Sequence, residues 1–194
     1  MKTILTAVLA LALPVALAAQ PPATPAATAN PITAAFKGRI LGQHRNIAQA
    51  FDSIPESKFS YKPTPAQLTI GYVAQHLVSD SYFFCNNFGA VKADVPASDA
   101  ATPDSVRALW PREQLLTKLK AAFTFCASAL DQIDDAKLAD AITITFNGNS
   151  RQSTKASMVL GHALDLTDHY SQLANYMRLN NILPPTALPR PARP

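Results

Sequence analysis

Proline placement decides where this chain can be helical. A proline is accepted in the first turn of a helix but not in its interior, where it lacks the N–H and its ring clashes with the preceding turn. Apolar residues recur at intervals of three and four in the stretches that prolines bound, the pattern of a helix with one buried face. Over residues 32–54 they are Ile32, Ala35, Phe36, Ile40, Ile47, Phe51 and Ile54, with Asn30 placed to cap and Pro31 at the first helical position. Pro55 closes this segment, and Pro63 and Pro65 keep the connection extended until Thr64 or Thr69 caps a second helix reaching about residue 88. Residues 89–109, rich in Ala, Asp, Pro and Ser, read as a long crossing loop with a short turn near 105–109. Pro111, with Glu113 in the first turn, opens a third helix carrying Leu115, Leu116, Leu119, Ala122, Phe123, Cys126, Leu130 and Ile133. Ile142 to Phe146 alternate with threonines and run into Asn147-Gly148, a strong signal for a tight hairpin. A fourth helix follows over about residues 153–180 until Pro184 forbids its continuation. The expected fold is all-α: a four-helix bundle with a long loop between the second and third helices and a short β-hairpin between the third and fourth.

The ends read differently. Lys2, the apolar run from Ile4 to Leu17 and the small residues Ala16, Ala18 and Ala19 form a signal peptide over residues 1–19, too short and too interrupted by Pro14 to span a bilayer. A leader over 20–30, the folded domain over 31–183 and a Pro-rich, unpacked tail over 184–194 complete the expected organisation. The protein is thus expected to be exported, to a periplasm or the outside, with no stable membrane anchor after cleavage. Of its two cysteines, Cys85 and Cys126, the oxidising reading is a disulfide; two buried thiols or a thiolate nucleophile are the other readings, the last lacking a neighbouring His or a C-x-x-C partner. Nine positions from His76, Cys85 lies about 180° from it around the second helix, so a bridge would staple the second and third helices away from the His76 face.

Charge and glycine content narrow the function. The formal charge of +4 is spread without a run of Lys or Arg that could follow a phosphate backbone, so nucleic acid is not an expected partner. The 6 glycines do not form the loops that cradle a dinucleotide or a nucleotide phosphate. On the fourth helix His162, Asp165, His169 and Gln172 share a sector of about 80°, a polar stripe bordered by Val159, Leu166, Leu173 and Met177. Asp165 and His169 stand four apart, a spacing at which two side chains grip one ion. His76 shares its face with Tyr72, Val73, Asp80 and Phe83. If the faces meet, His76, Asp165 and His169 make a two-imidazole, one-carboxylate set for zinc, nickel, iron or manganese; the plainer reading is a hydrogen-bonded or ion-paired network. His162 stands as a substitute ligand or a supporting partner, and His44 as an exposed or internally satisfied histidine. Gly38 and Gly42 either pack within the molecule or let a second copy approach as a homodimer.

Three passages resemble the DinB/YfiT family of four-helix-bundle metalloenzymes, its exported members in particular. They are Tyr61-Lys62-Pro63-Thr64-Pro65, then Ala74-Gln75-His76-Leu77-Val78 continuing to Tyr82-Phe83-Phe84-Cys85, and Asp168-His169-Tyr170-Ser171-Gln172-Leu173 running through Tyr176-Met177-Arg178. The family's metal is held by a histidine on the second helix and a His-x-x-x-His pair on the last. His76 and His169 match; Asp165 stands where a histidine would be, and Ser171 replaces a glycine. The resemblance implies metal-assisted hydrolysis or thiol transfer on a small-molecule substrate, with Asp80 as the catalytic base or a support for His76. The alternative is a secreted, non-catalytic binding or scaffold protein whose metal site has decayed.

Overall fold

A computed structural model describes residues 29–146 and 148–189, with Phe146 described by its backbone alone. The expected signal peptide, nearly all of the leader and the last residues of the tail lie outside the described residues. The rest is mostly helical with one two-stranded sheet. The helices are α1 (Pro31–Ser53), α2 (Ile70–Cys85), α3 (Ala97–Ala101), α4 (Asp104–Arg107), α5 (Arg112–Leu130) and α6 (Lys155–Leu179); the strands are β1 (Ala141–Phe146) and β2 (Asn149–Thr154). None of the helices among the described residues is long and apolar enough to cross a membrane.

Caps set most of the long helices' ends. Thr69 and Thr154 accept the N–H of Tyr72 and Ser157 at 3.1 and 3.2 Å, opening α2 and α6. The expected cap of α1 fails. Asn30 sits in the left-handed region and makes no side-chain cap, and the free N–H groups of Ile32 and Thr33 are taken by the Asp135 carboxylate at 3.1 and 2.7 Å. The cap thus comes from the segment after α5, a partner that local sequence could not name. At the other end of α1, Arg112 donates to the carbonyls of Phe51, Asp52 and Ile54 at 3.0, 3.1 and 3.0 Å, tying the start of α5 to chain that has run out of helical partners.

The four long helices pack side by side, α1 against α5 and α6, and α2 against α5 and α6. Ile40, Ile47 and Phe51 of α1, Leu77 of α2, Leu115 and Leu119 of α5, and Leu166 and Leu173 of α6 are buried in one core. Cys85 and Cys126 are joined, stapling α2 to α5, and Cys85 is buried away from the exposed flank that carries His76. The crossing loop contains two short helices, α3 and α4, where only a turn was expected; segments of 5 and 4 residues are too short to carry a readable period. In the hairpin Phe146 faces Asn149, leaving a two-residue turn in which Gly148 takes φ 77°, a conformation side chains resist. One expectation is corrected and one alternative is closed. Residues 184–189 are not an unpacked tail: Pro185–Ala187 forms a 3-10 turn against α1, and the Tyr170 hydroxyl both donates to Thr186 Oγ1 at 2.9 Å and accepts from Thr186 N at 3.1 Å. Gly38 and Gly42 do not pack inside the molecule, since a Cβ on either meets nothing nearer than the Arg45 guanidinium at 3.8 Å.

Candidate metal centre

Both pairs of candidate ligands are i,i+4 on a helix, and the packing of α2 on α6 lays one pair across the other. His76 and Asp80 come from α2, Asp165 and His169 from α6. A donor atom from each of the four lies within 4.8 Å of the others. Asp80 Oδ2 is 3.1 Å from His76 Nε2, and Asp165 Oδ1 is 3.3 Å from His169 Nε2. The imidazoles of His76 and His169 meet edge to face at 4.7 Å between centroids. All four side chains keep some exposure, from 14% for His169 to 29% for His76, so one side of the cluster opens to water. The structure therefore unites the three expected ligands and adds Asp80 to the same space, not merely beside it.

Neighbours orient these groups. The Gln172 oxygen lies 3.2 Å from His169 Nδ1, while the Gln172 nitrogen donates to the Tyr176 hydroxyl at 3.1 Å. With its amide fixed in that sense, Gln172 takes the proton on Nδ1 and leaves the Nε2 lone pair facing the cluster, the usual way a ligand histidine is held. Tyr72 stacks on His76. Asp104 of α4 bears on His76 and Asp80 through its charge, and is itself held below the carboxylate range chiefly by its hydrogen bond to Arg107.

Charge in the cluster is unbalanced. Burial, and then the nearby charge of Asp165, push Asp80 up to about 7. Burial and the neighbouring His169 lower His76. For His169 burial also lowers, but the hydrogen bond to Asp165 and its charge outweigh it, and the net shift is upward. Asp165 Oδ2 is buried with no hydrogen-bond partner. Two crowded carboxylates, one of them short of a donor, and two imidazoles fit a divalent cation by chemistry as well as by proximity.

Two histidines depart from expectation. His162 does not join its stripe-mates; it is fully buried one turn away, its Nε2 3.7 Å from Cys126 Sγ. His44 is neither exposed nor satisfied: it is 6% exposed, stacked on Phe123 at 4.0 Å, with Nε2 unpartnered. His44, Cys126 and His162 form a second group of candidate donors within 4.8 Å of one another, although Cys126 is committed to its disulfide. A signal for His44 existed, since it falls in phase with Ile40, Ile47 and Phe51. A cavity of about 250 Å³ lined by Gln75, Tyr82, Trp110 and Lys118 lies on another flank of α2, and none of the four donors of the first cluster lines it.

The family model described as the DinB superfamily matches residues 40–173. No curated protein matches the chain. Among solved structures, a DinB-like protein from Bacillus cereus is similar with 17% identity over 77% of this chain and 93% of its own, at a TM-score of 0.58. A conserved protein from Enterococcus faecalis is similar with 15% identity over 76% of this chain and 96% of its own, at a TM-score of 0.56. At such identities the structural likeness speaks for the fold.

Proposed function

The chain belongs to the DinB superfamily, and on that premise we propose that it is an exported four-helix-bundle protein that binds one divalent transition metal through His76, Asp165 and His169 and uses it on a small substrate. The observation that carries the reading is the meeting of the two i,i+4 pairs, with a donor from each of four side chains inside 4.8 Å. When bound, the ion supplies Lewis acidity that turns water or a thiol into a better nucleophile, the chemistry of a hydrolase or a transferase. Asp165 brings a negative charge where the family pattern has an imidazole, which lowers the net charge of the loaded centre and favours a harder cation. Gln172 fixes the tautomer and the ring of His169. Asp80, pushed up to about 7 by burial and by the charge of Asp165, is placed to give a proton to, or take one from, a group at the open side of the cluster. The disulfide suits an oxidising compartment, which supports export and makes water the better candidate nucleophile than a thiol cofactor.

The test is metal content by plasma mass spectrometry of the unreduced, untagged protein beside a His76→Ala/His169→Ala variant. About one equivalent in the wild type and none in the variant is the expected result. A wild type that stays empty after incubation with zinc, nickel and manganese would sink the proposal and leave the non-catalytic binding or scaffold reading, in which Asp80–His76 and Asp165–His169 are simply paired side chains.

A further inference from the structure

We propose that His44, Cys126 and His162 form a second, buried metal site that exists only when the Cys85–Cys126 disulfide is open, so that one sulfur serves either the disulfide or the metal. The three residues come from α1, α5 and α6, and each is buried. Zinc binds sulfur at about 2.3 Å and imidazole nitrogen at about 2.0–2.1 Å, which at a tetrahedral angle puts the two ligand atoms about 3.6 Å apart. Cys126 Sγ and His162 Nε2 are 3.7 Å apart. The third donor, on His44, lies within 4.8 Å of both, so about an ångström of side-chain movement closes the set.

A buried polar atom without a partner is costly, and His44 Nε2 is one that a metal can satisfy. Both imidazoles of the trio are kept neutral, as metal ligation requires. Burial, then the neighbouring His162, lowers His44 to about 3, and burial lowers His162 to about 4 against the opposing charge of Asp165. Phe84, Phe88 and Phe123 wall the rings, so the site is closed in the manner of structural rather than catalytic zinc. In the oxidised protein Cys126 has no thiolate to offer and the trio is idle. Opening the disulfide frees the Cys126 sulfur and lets the two sulfurs part to non-bonded distance. A water-soluble phosphine does so by giving up two electrons and taking the oxygen of one water molecule, whose two protons end on the two thiols. Metal binding then converts the Cys126 thiol to thiolate and releases one proton. Cys85, freed beside Cys126, is the nearest further sulfur for a fourth position.

The experiment uses the full chain carrying His76→Ala and His169→Ala, which removes the first site, titrated with cobalt(II) in three forms: oxidised, phosphine-reduced, and with Cys85→Ser, which leaves Cys126 free without any reductant. The oxidised form should bind none. The other two should each bind one equivalent, with a near-ultraviolet sulfur-to-cobalt charge-transfer band that zinc abolishes and that adding His162→Gln removes. Absence of the band in both, with the helical circular dichroism retained, overturns the proposal, as does equal uptake by the oxidised form. The first site holds only nitrogen and oxygen donors, so its failure is read from metal content and not from this band.

Discussion

An imidazole sealed in a core cannot take the proton that it would accept in the unfolded chain. His44 and His162 titrate near 6.5 when unfolded but at about 3 and about 4 in the fold. Their folded values are depressed, so the unfolded state binds more protons as pH drops below 6.5, and stability present above that pH is lost on acidification. Each missing proton contributes a slope of about 1.4 kcal/mol per pH unit. Asp80, raised to about 7, works the other way: the fold holds its proton where the unfolded chain does not, and this offsets about one of the two histidines between pH 6 and 4.5. Urea unfolding across that range should show stability falling with a net slope of about one proton. In His162→Gln the slope should drop by about one proton; an unchanged slope would mean that His162 is not the sealed base described here. His44 was the residue most open to misreading. Its phase with Ile40, Ile47 and Phe51 places it on the core stripe of α1, yet its polar type argues for the surface, and only its contact with Phe123 settles the matter in favour of phase.

At the level of elements, close approach matters more than propensity. Gly71, in the first turn of α2, lies under the end of α4: a Cβ there would come within 2.4 Å of the Ala108 carbonyl oxygen and 3.3 Å of the Phe59 carbonyl oxygen. Both are backbone atoms that cannot swing aside. Gly71→Ala is therefore expected to cost about 1–3 kcal/mol, despite alanine's better helix propensity, as a shift in the denaturation midpoint. A stabilised variant would show that α4 yields freely. From α4, Asp104 bears on His76 and Asp80 through its charge, so α4 flanks the first cluster and is not loose crossing chain. The disulfide acts at this scale too. It closes a loop of 41 residues between α2 and α5, which on the chain-entropy account stabilises the fold by about 4 kcal/mol. Both ends of α1 and the starts of α2 and α5 were legible from prolines and from Thr69, because those devices act within a turn of the helix end. Short α3 and α4, and the capping of α1 by Asp135, were not, because their partners are distant in sequence.

One core runs through all four long helices, so a ligand gripping α2 and α6 should stabilise the whole. At a free metal concentration of about 100 times Kd the gain is about 2.7 kcal/mol, several degrees in melting temperature for a domain of this size. The oxidised wild type should show that rise with added metal and lose it with chelator, whereas His76→Ala/His169→Ala should respond to neither; an equal response in both would place the ion elsewhere. What could be read without the fold was local: helix phase, the hairpin at Asn147-Gly148, the cysteine pair, and a spacing of four that marks Asp165 and His169 as potential co-ligands. The face of α2 that carries His76 offered the third ligand on the condition that the two faces met, and the resemblance to a known family supported it. Periodicity says which face of a helix is buried but carries no information on how far one helix slides along another. That axial offset brings Asp80 into the first cluster, and it sends His162 away from its own stripe to meet His44 and Cys126. It was decided by the packing of buried side chains between helices, and so only by the tertiary structure.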